Sequence, residues 1–245
     1  MVLKKVRKFY DNSHRWLGDI LVYRVGFATQ KNRFSEAQRQ VDNWIEKILE
    51  EFDTTHFHLY LSDSEGNFRN KLAPNYKANR KAEKPRHYEA IINYMLDEWD
   101  AEVSWGQEAD DAMGIKQIYC NGPKLMPTSV ICTVDKDLNQ IAGKHYNFIT
   151  GEHYDITYEQ GLYFFYHQLL TGDPVDNIIG LKGIGKLKAA KMLWDCTTEP
   201  ELFNAAYNAY KQVYNEESEC RLEMLKNGRL VKIRQYPEEL WELPE

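Results

Sequence analysis

Apolar positions along the chain follow two periodicities. Val41, Trp44, Ile45, Ile48, Leu49 and Phe52 recur at the spacing of one helix face, which predicts an amphipathic helix. Phe57-His-Leu-Tyr-Leu61 alternates with period two and ends at Ser62-Asp63, which predicts a strand. Residues 88–99 read as helix, 102–105 as a short strand, and 107–113 as the start of another helix. Residues 130–134 are β-rich and run into Asp135-Lys-Asp137, and 162–170 form an apolar helix. Leu202, Phe203, Ala206, Tyr207, Tyr210, Val213 and Tyr214 make a helical stripe that reads as core. A last helix at 221–226 is stopped by Asn227-Gly228. The apolar run 20–27 fits helix or strand. Residues 1–17 are basic and polar, and Asp11-Asn-Ser-His-Arg makes a poor strand.

Strands alternating with helices imply an α/β fold with a mainly parallel central sheet flanked by helices, followed by an all-helical C-terminal portion. The expected division is 1–156 for the α/β part and 157–245 for the helical part, with no internal repeat or low-complexity segment. At 245 residues, 43% hydrophobic and 28% charged, the composition is that of an ordinary folded protein. No apolar run approaches the roughly 18 residues a membrane span needs, and the N-terminus lacks the apolar core of a secretory signal. Cys120, Cys132, Cys196 and Cys220 show no paired spacing, so reduced thiols in a cytoplasm are expected.

The net charge of −6 argues against a protein that coats DNA generically. It leaves room for acids gathered at a metal site beside separate basic patches. Residues 69–86 make such a patch, with Arg69, Lys71, Lys77, Arg80, Lys81, Lys84 and Arg86 against Glu83 alone. A solvated loop would have the same composition.

Residues 171–193 offer the densest chemistry. Asp173 and Asp176 precede a glycine-punctuated hairpin, Gly180, Gly183 and Gly185, and a basic helix 186–193. Glycines let another backbone come close and aim N–H groups outward at a helix start, where an anion is favoured. Lys182, Lys186, Lys188 and Lys191 add cations that neutralise phosphates without reading bases. A glycine-capped turn that only packs is the plain alternative, and the acids and lysines around it favour nucleic-acid binding. Other acids recur at strand ends and helix starts: Asp63, Glu108-Ala-Asp110-Asp111 and Asp135-Lys-Asp137. Carboxyl ends of parallel strands share one edge, and acids gathered there repel unless cations join them. Hard oxygen donors in this number favour two Mg²⁺ or Mn²⁺ ions, which at about 4 Å apart can serve phosphodiester hydrolysis. Any one acidic pair is also explained by helix dipoles.

These motifs resemble those of the flap endonuclease/5′–3′ exonuclease family. The resemblance is carried by Glu108-Ala-Asp-Asp111, Thr133-Val-Asp-Lys-Asp137 and Gly172-Asp-Pro-Val-Asp-Asn-Ile-Ile-Gly-Leu-Lys-Gly-Ile-Gly185. Pro74-Asn-Tyr-Lys-Ala-Asn-Arg80 is similar to the arch-foot motif in its bacteriophage form. The resemblance implies a PIN-like sheet with a short arch near 70–90 and a helix–hairpin–helix (helix–three-turn–helix) motif. It implies a Mg²⁺-dependent 5′–3′ exonuclease or flap endonuclease, a monomer without membrane attachment, working in the cytoplasm of a bacterial host if of phage origin. Its substrates would be DNA with 5′ ends, flaps or nicks, and RNA–DNA hybrids.

By the same resemblance Glu108, Asp110, Asp111, Asp135, Asp137, Asp173 and Asp176 are metal ligands, directly or through water, with Asp63 the strand-end acid. Asp110 and Asp135 carry the chemistry, and Lys77 and Arg80 contact the scissile phosphate. Tyr76 stacks on an unpaired base. Gly180, Lys182, Gly183, Gly185, Lys186 and Lys188 grip the duplex, and a K⁺ ion can sit between this hairpin and phosphate. The N-terminus departs from the pattern: Leu17 stands where the family has its first metal-binding Asp, in Trp16-Leu-Gly-Asp19. Either Asp19 substitutes, or the site lacks a ligand and the chain is a structure-specific DNA-binding protein with an impaired centre. A related ribonuclease of the same α/β type is the third reading. His56 and His58, two apart on a strand, lack a third ligand nearby, and no Walker loop, dinucleotide fingerprint or Gly-x-Ser-x-Gly elbow occurs.

Overall fold

The computed structural model describes residues 14–63, 65–80, 83–121 and 129–244. Its strands are β1 (His14–Leu17), β2 (His58–Ser62), β3 (Glu102–Ser104), β4 (Ser129–Cys132), β5 (Gly143–Asn147) and β6 (Glu152–Ile156). They form one sheet in the order β3-β2-β1-β4-β5-β6, parallel throughout except for the β5–β6 pair. The helices are α1 (Ile20–Ala28), α2 (Phe34–Glu51), α3 (Phe68–Leu72), α4 (Tyr88–Trp99), α5 (Ala109–Cys120), α6 (Tyr158–Thr171), α7 (Lys186–Met192), α8 (Glu199–Lys211) and α9 (Glu217–Val231), with a 3₁₀ turn at Asp137–Gln140.

The reading of Asp11-Asn-Ser-His-Arg as a poor strand is corrected where it meets the described residues: His14 and Arg15 open β1, and this strand lies inside the sheet. It pairs with β2 through Trp16↔His58 and Leu17↔Leu59, and with β4 from His14↔Ser129 to Leu17↔Cys132. A strand bonded on both sides is fixed by its neighbours more than by its own composition. Residues 1–13 lie outside the described residues.

Of the predicted apolar face of α2, Val41, Ile45 and Ile48 are buried and Ala37 joins them, while Trp44, Leu49 and Phe52 are half-buried against the same cluster. With α1 and α4, α2 covers one face of the sheet, against Leu17, Leu59, Leu61, Val130 and Cys132. On the other face α5 packs Ala109, Ala112 and Met113 against Tyr60 and Ile131. A third apolar cluster gathers Phe165, Tyr166, Leu169, Ala189, Leu202, Tyr210, Met224 and Trp241 from the helical C-terminal portion, and takes in Tyr76.

A second correction concerns Asn227-Gly228, which does not stop the last helix: α9 continues to Val231. Gly228 is needed there because the Trp241 ring lies against it, so that a Cβ would come within 2.1 Å of the indole. Asn227 is buried and donates to the Tyr210 hydroxyl at 2.9 Å. Tertiary packing overrides the local helix-stop pattern. Among the described residues no helix is long and apolar enough to cross a membrane, and all four cysteines are free.

Candidate active site

The carboxyl ends of β1, β2, β3 and β4 open on one edge of the sheet. Asp19 follows β1 and accepts from the Ser62 N–H at 3.3 Å. Glu108 caps α5 and Asp110 lies in its first turn, a position set by the Ala109 N–H donating to Ser62 Oγ at 3.0 Å. Asp135 and Asp137 follow β4, and Asp173 and Asp176 occupy the turn after α6.

Electrostatics tie these acids together. Burial holds the Asp110 carboxyl well above the usual carboxylate range, and Asp135, Asp19, Glu108 and Asp111 push it the same way. Burial also raises Asp135; the Asp137 N–H, donating at 2.9 Å, opposes this, and Asp176 and Asp173 add to it. Asp137 is pushed up to about 7, first by burial and then by Asp135, Asp173 and Asp176, against the Gln168 amide donating at 2.7 Å. Asp19 is raised by burial and by Glu108. Asp19, Asp110, Asp135 and Asp137 are thus each raised by burial first and by neighbouring acids second, as like charges crowded out of water are.

The 74–80 loop is fastened to the acidic turn. The Lys77 N–H donates to the Asp176 carbonyl at 2.9 Å, Asn177 Nδ2 to the Asn75 carbonyl at 2.7 Å, and Asn79 Nδ2 to the Pro174 carbonyl at 2.6 Å. Lys77 adopts a left-handed backbone, φ 56°, uncommon for a residue with a Cβ and frequent at functional sites. Its ammonium pairs with Glu108 and lies 3.5 Å from Asp176, and Arg80 pairs with Asp176. Burial opposes the Lys77 charge, and Glu108 and Asp176 more than offset it, so its pKa is raised.

Among the described residues no three His, Cys, Asp or Glu side chains close tightly enough to hold a metal ion as they stand. The donor set is nonetheless all hard oxygen, its charges repel, and the Lys77 ammonium bridges Glu108 and Asp176 where a cation is wanted. In chemistry, then, the residues suit a divalent cation.

Several expected sites are corrected. Asp63 does not face the cluster: its oxygens accept from Glu65 N–H at 3.0 Å, Gly66 N–H at 2.9 Å and Gly106 N–H at 2.8 Å, which lower its pKa. It shapes a turn. Asp111 is buried and binds Arg69 through both oxygens, at 2.6 and 2.9 Å, while accepting from the Glu108 and Arg234 N–H groups. With its oxygens so committed, it supports α5 and does not offer itself to a metal. Tyr76 is 6% exposed within the helical cluster, and its hydroxyl donates to Glu108 and Asp176, each at 3.0 Å. Its ring is unavailable for stacking on a base.

The basic patch at 69–86 is thinned rather than continuous: Arg69 is buried on Asp111, Lys77 and Arg80 pair with the acids, and Lys84 pairs with Glu89 at 3.2 Å, while Lys71 and Arg86 stay exposed. Lys81 lies outside the described residues. Leu17 is 1% exposed in the core beneath α1, whereas Asp19 belongs to the acidic cluster.

The hairpin after α6 begins with a crossing of backbones. Gly172 (φ 67°) and Gly180 (φ 64°) approach so closely that a Cβ on either would come within 2.2 Å of the other segment's backbone. Leu181 and Ile184 are buried, while Lys182, Gly183, Gly185, Lys186 and Lys188 are exposed along one loop and the start of α7. Gly180 is therefore an internal packing residue, and the exposed lysines form the outward surface.

The family model described as 5′–3′ exonuclease, N-terminal resolvase-like domain matches residues 18–164. The chain belongs to the 5′–3′ exonuclease family. The match takes in Asp19, the 74–80 loop, Glu108, Asp110, Asp135 and Asp137, and ends before Asp173 and the hairpin. Solved structures similar to this 5′–3′ exonuclease-family chain include a bacteriophage T5 protein co-crystallised with metal ions, at TM-score 0.62 and 17% identity over 90% of this chain and 89% of that one. Another is the T5 5′-exonuclease with bound divalent metal ions (zinc), at 0.57 and 16% over 90% and 99%. A third is the bacteriophage T5 flap endonuclease in a pseudo-enzyme–product complex with DNA and metal ions, at 0.54 and 16% over 88% and 99%. At these identities the likeness establishes the fold, the PIN-like, mainly parallel α/β sheet that the resemblance implied. No curated protein sequence matches the chain.

Proposed function

We propose that the chain is a divalent-metal-dependent 5′-nuclease acting on DNA with 5′ ends, flaps or nicks, and on the RNA strand of RNA–DNA hybrids. The observation that carries this reading is the acidic cluster at the carboxyl edge of a 5′–3′ exonuclease-family sheet, with Lys77 and Arg80 held against it. The T5 proteins of similar fold hold divalent metal ions and, in one case, DNA, which supports it.

Asp19, Glu108, Asp110, Asp135, Asp137, Asp173 and Asp176 would hold two Mg²⁺ or Mn²⁺ ions, which when bound supply an activated nucleophile and charge stabilisation at the leaving oxygen. The chain's own contribution is positional and electrostatic. The Ser62 and α5 contacts fix Asp19, Glu108 and Asp110 on one side, and the fastened 74–80 loop holds Lys77 and Arg80 on the other. Once Glu108 and Asp176 are neutralised otherwise, these two cations are free to bind the phosphate under attack and to stabilise its developing charge. Lys182, Lys186 and Lys188 would hold the duplex backbone, with room for a K⁺ ion between the hairpin and phosphate. Because such contacts read no bases, DNA and hybrid substrates are both accommodated.

A second reading, a structure-specific DNA-binding protein with an impaired centre, is favoured by one observation: Leu17 sits in the core where the family's first acid is expected. Incubation with a 5′-labelled duplex and a 5′-flap in Mg²⁺, beside the Asp110→Asn/Asp135→Asn double variant, separates the two. Cleavage by the wild type and not the variant supports the nuclease. Binding by both with cleavage by neither would leave the DNA-binding protein.

A further inference from the structure

Two buried polar relays start at the candidate site and end on the same short stretch of backbone. In the first, Asp111 fixes the first turn of α5, which carries Glu108 and Asp110, by accepting the Glu108 N–H at 3.1 Å. Asp111 is itself held by Arg69, whose guanidinium also donates to the Leu230 carbonyl at 2.9 Å and the Lys232 carbonyl at 2.7 Å. The Arg234 N–H donates back to Asp111 at 3.0 Å. In the second, Asp137 accepts from Gln168 at 2.7 Å, Gln168 accepts from Gln140 at 2.6 Å, and Gln140 donates to the Val231 carbonyl at 2.7 Å while accepting the Ile233 N–H at 3.1 Å. Arg69, Asp111, Gln140 and Gln168 are all buried.

We infer that the exit of α9, residues 230–234, is a positioning platform for the carboxylate cluster, acting through Arg69 on Glu108 and Asp110 and through Gln140 and Gln168 on Asp137. This stretch lies beyond the part of the chain matched to the family, and it donates no side chain to the cluster itself. Its backbone carbonyls and N–H groups are instead the fixed points. An arginine suits the first relay because its planar fork can grip a carboxylate with two bonds and still reach two carbonyls. A glutamine suits the second, since one amide can donate to two acceptors and accept from a third group. α5 is pressed onto the same stretch: a Cβ on Gly114 would lie 2.5 Å from the Arg234 carbonyl. The acids repel one another, so without fixed points each would drift apart from the others or turn to solvent, and a cation would meet a disordered set of donors.

The inference rests on the metal-dependent reading, and the test separates the two. Mn²⁺ alone is titrated into wild type, Arg69→Lys and Gln168→Met, and free Mn²⁺ is read by its paramagnetic resonance signal, with thermal melts run in parallel. Ile48→Val, in the core under α2 away from the cluster, serves as a destabilised control. The two positioning variants should bind Mn²⁺ about tenfold more weakly, as loss of the groups that orient metal ligands commonly does, whereas the control should match wild type despite a lower melting point. If Arg69→Lys fails to fold, Gln168→Met decides. Mn²⁺ binding unchanged in folded variants that are merely less stable would overturn the positioning role while leaving the nuclease reading intact. A wild type that takes up no Mn²⁺ would overturn both.

Discussion

Leu17→Asp tests whether the strand end at β1 or the residue two places on supplies the acid. Leu17 is 1% exposed and packs with Leu21, Val22, Leu59 and Cys132. Full burial of a leucine stabilises by about 1.5–3 kcal/mol, and an unpartnered buried polar group costs about 1–3 kcal/mol in proteins. Leu17→Asp should therefore destabilise by about 2.5–6 kcal/mol, a large share of a typical total of about 5–15. For a chain of this size that lowers the melting point by roughly 5–24 °C. Asp19→Asn should behave in the opposite way. Burial and Glu108 already disfavour its charge, so the neutral amide should leave the metal-free melting point unchanged or higher, while cleavage of a 5′-labelled flap in Mg²⁺ falls sharply. Melts in EDTA and initial cleavage rates for both variants decide the matter. A Leu17→Asp protein as stable as wild type that also cleaves faster would show that residue 17 faces the cluster and not the core.

Three further outcomes are expected. Lys182→Ala and Lys186→Ala should weaken binding to duplexes of unrelated sequence alike, each lowering the slope of log affinity against log salt by about 0.9 if it neutralises one phosphate; an unchanged slope would remove the hairpin lysines from the interface. Gly228→Ala forces a methyl to within 2.1 Å of the Trp241 ring and should cost about 1–3 kcal/mol in denaturant unfolding, with a shift in tryptophan fluorescence. His145 is buried against the Ile141 carbonyl, and burial lowers its pKa from 6.5. The unfolded chain then binds the proton first as pH falls, so its contribution to stability is complete above 6.5 and lost below it. His145→Gln should flatten that part of the pH–stability curve.

Long, strongly periodic elements were legible in the amino-acid order. Residues 88–99 form α4 as read, and α2 turns its predicted apolar face inward, with Val41, Ile45 and Ile48 buried and Trp44, Leu49 and Phe52 half-buried. β1 was not legible, because its four residues owe their place to strands on both sides. The β5–β6 hairpin is hidden because neither strand alternates cleanly: His145 and Tyr146 are buried side by side, β6 has no fully buried residue, and the turn closed by the Gly151 N–H on the Asn147 carbonyl is the clearer sign. Composition misled most where charges find partners distant in the chain. Arg69 reads as one member of a basic run until Asp111, 42 positions away, is seen to neutralise it. Tyr76 reads as a stacking residue until its hydroxyl is found between Glu108 and Asp176. Acids at strand ends were legible as a group, and which of them serve structure, as Asp63 and Asp111 do, depends on backbone N–H groups that no spacing reveals.

Anomalous scattering from a crystal of the wild-type protein soaked in Mn²⁺ tests directly whether the acidic cluster binds metal. The predicted result is one or two strong peaks bounded by Asp19, Glu108, Asp110, Asp135, Asp137, Asp173 and Asp176, with the Lys77 ammonium displaced from between Glu108 and Asp176. Soaked crystals with no peak there, and Lys77 still bridging those two acids, would contradict it.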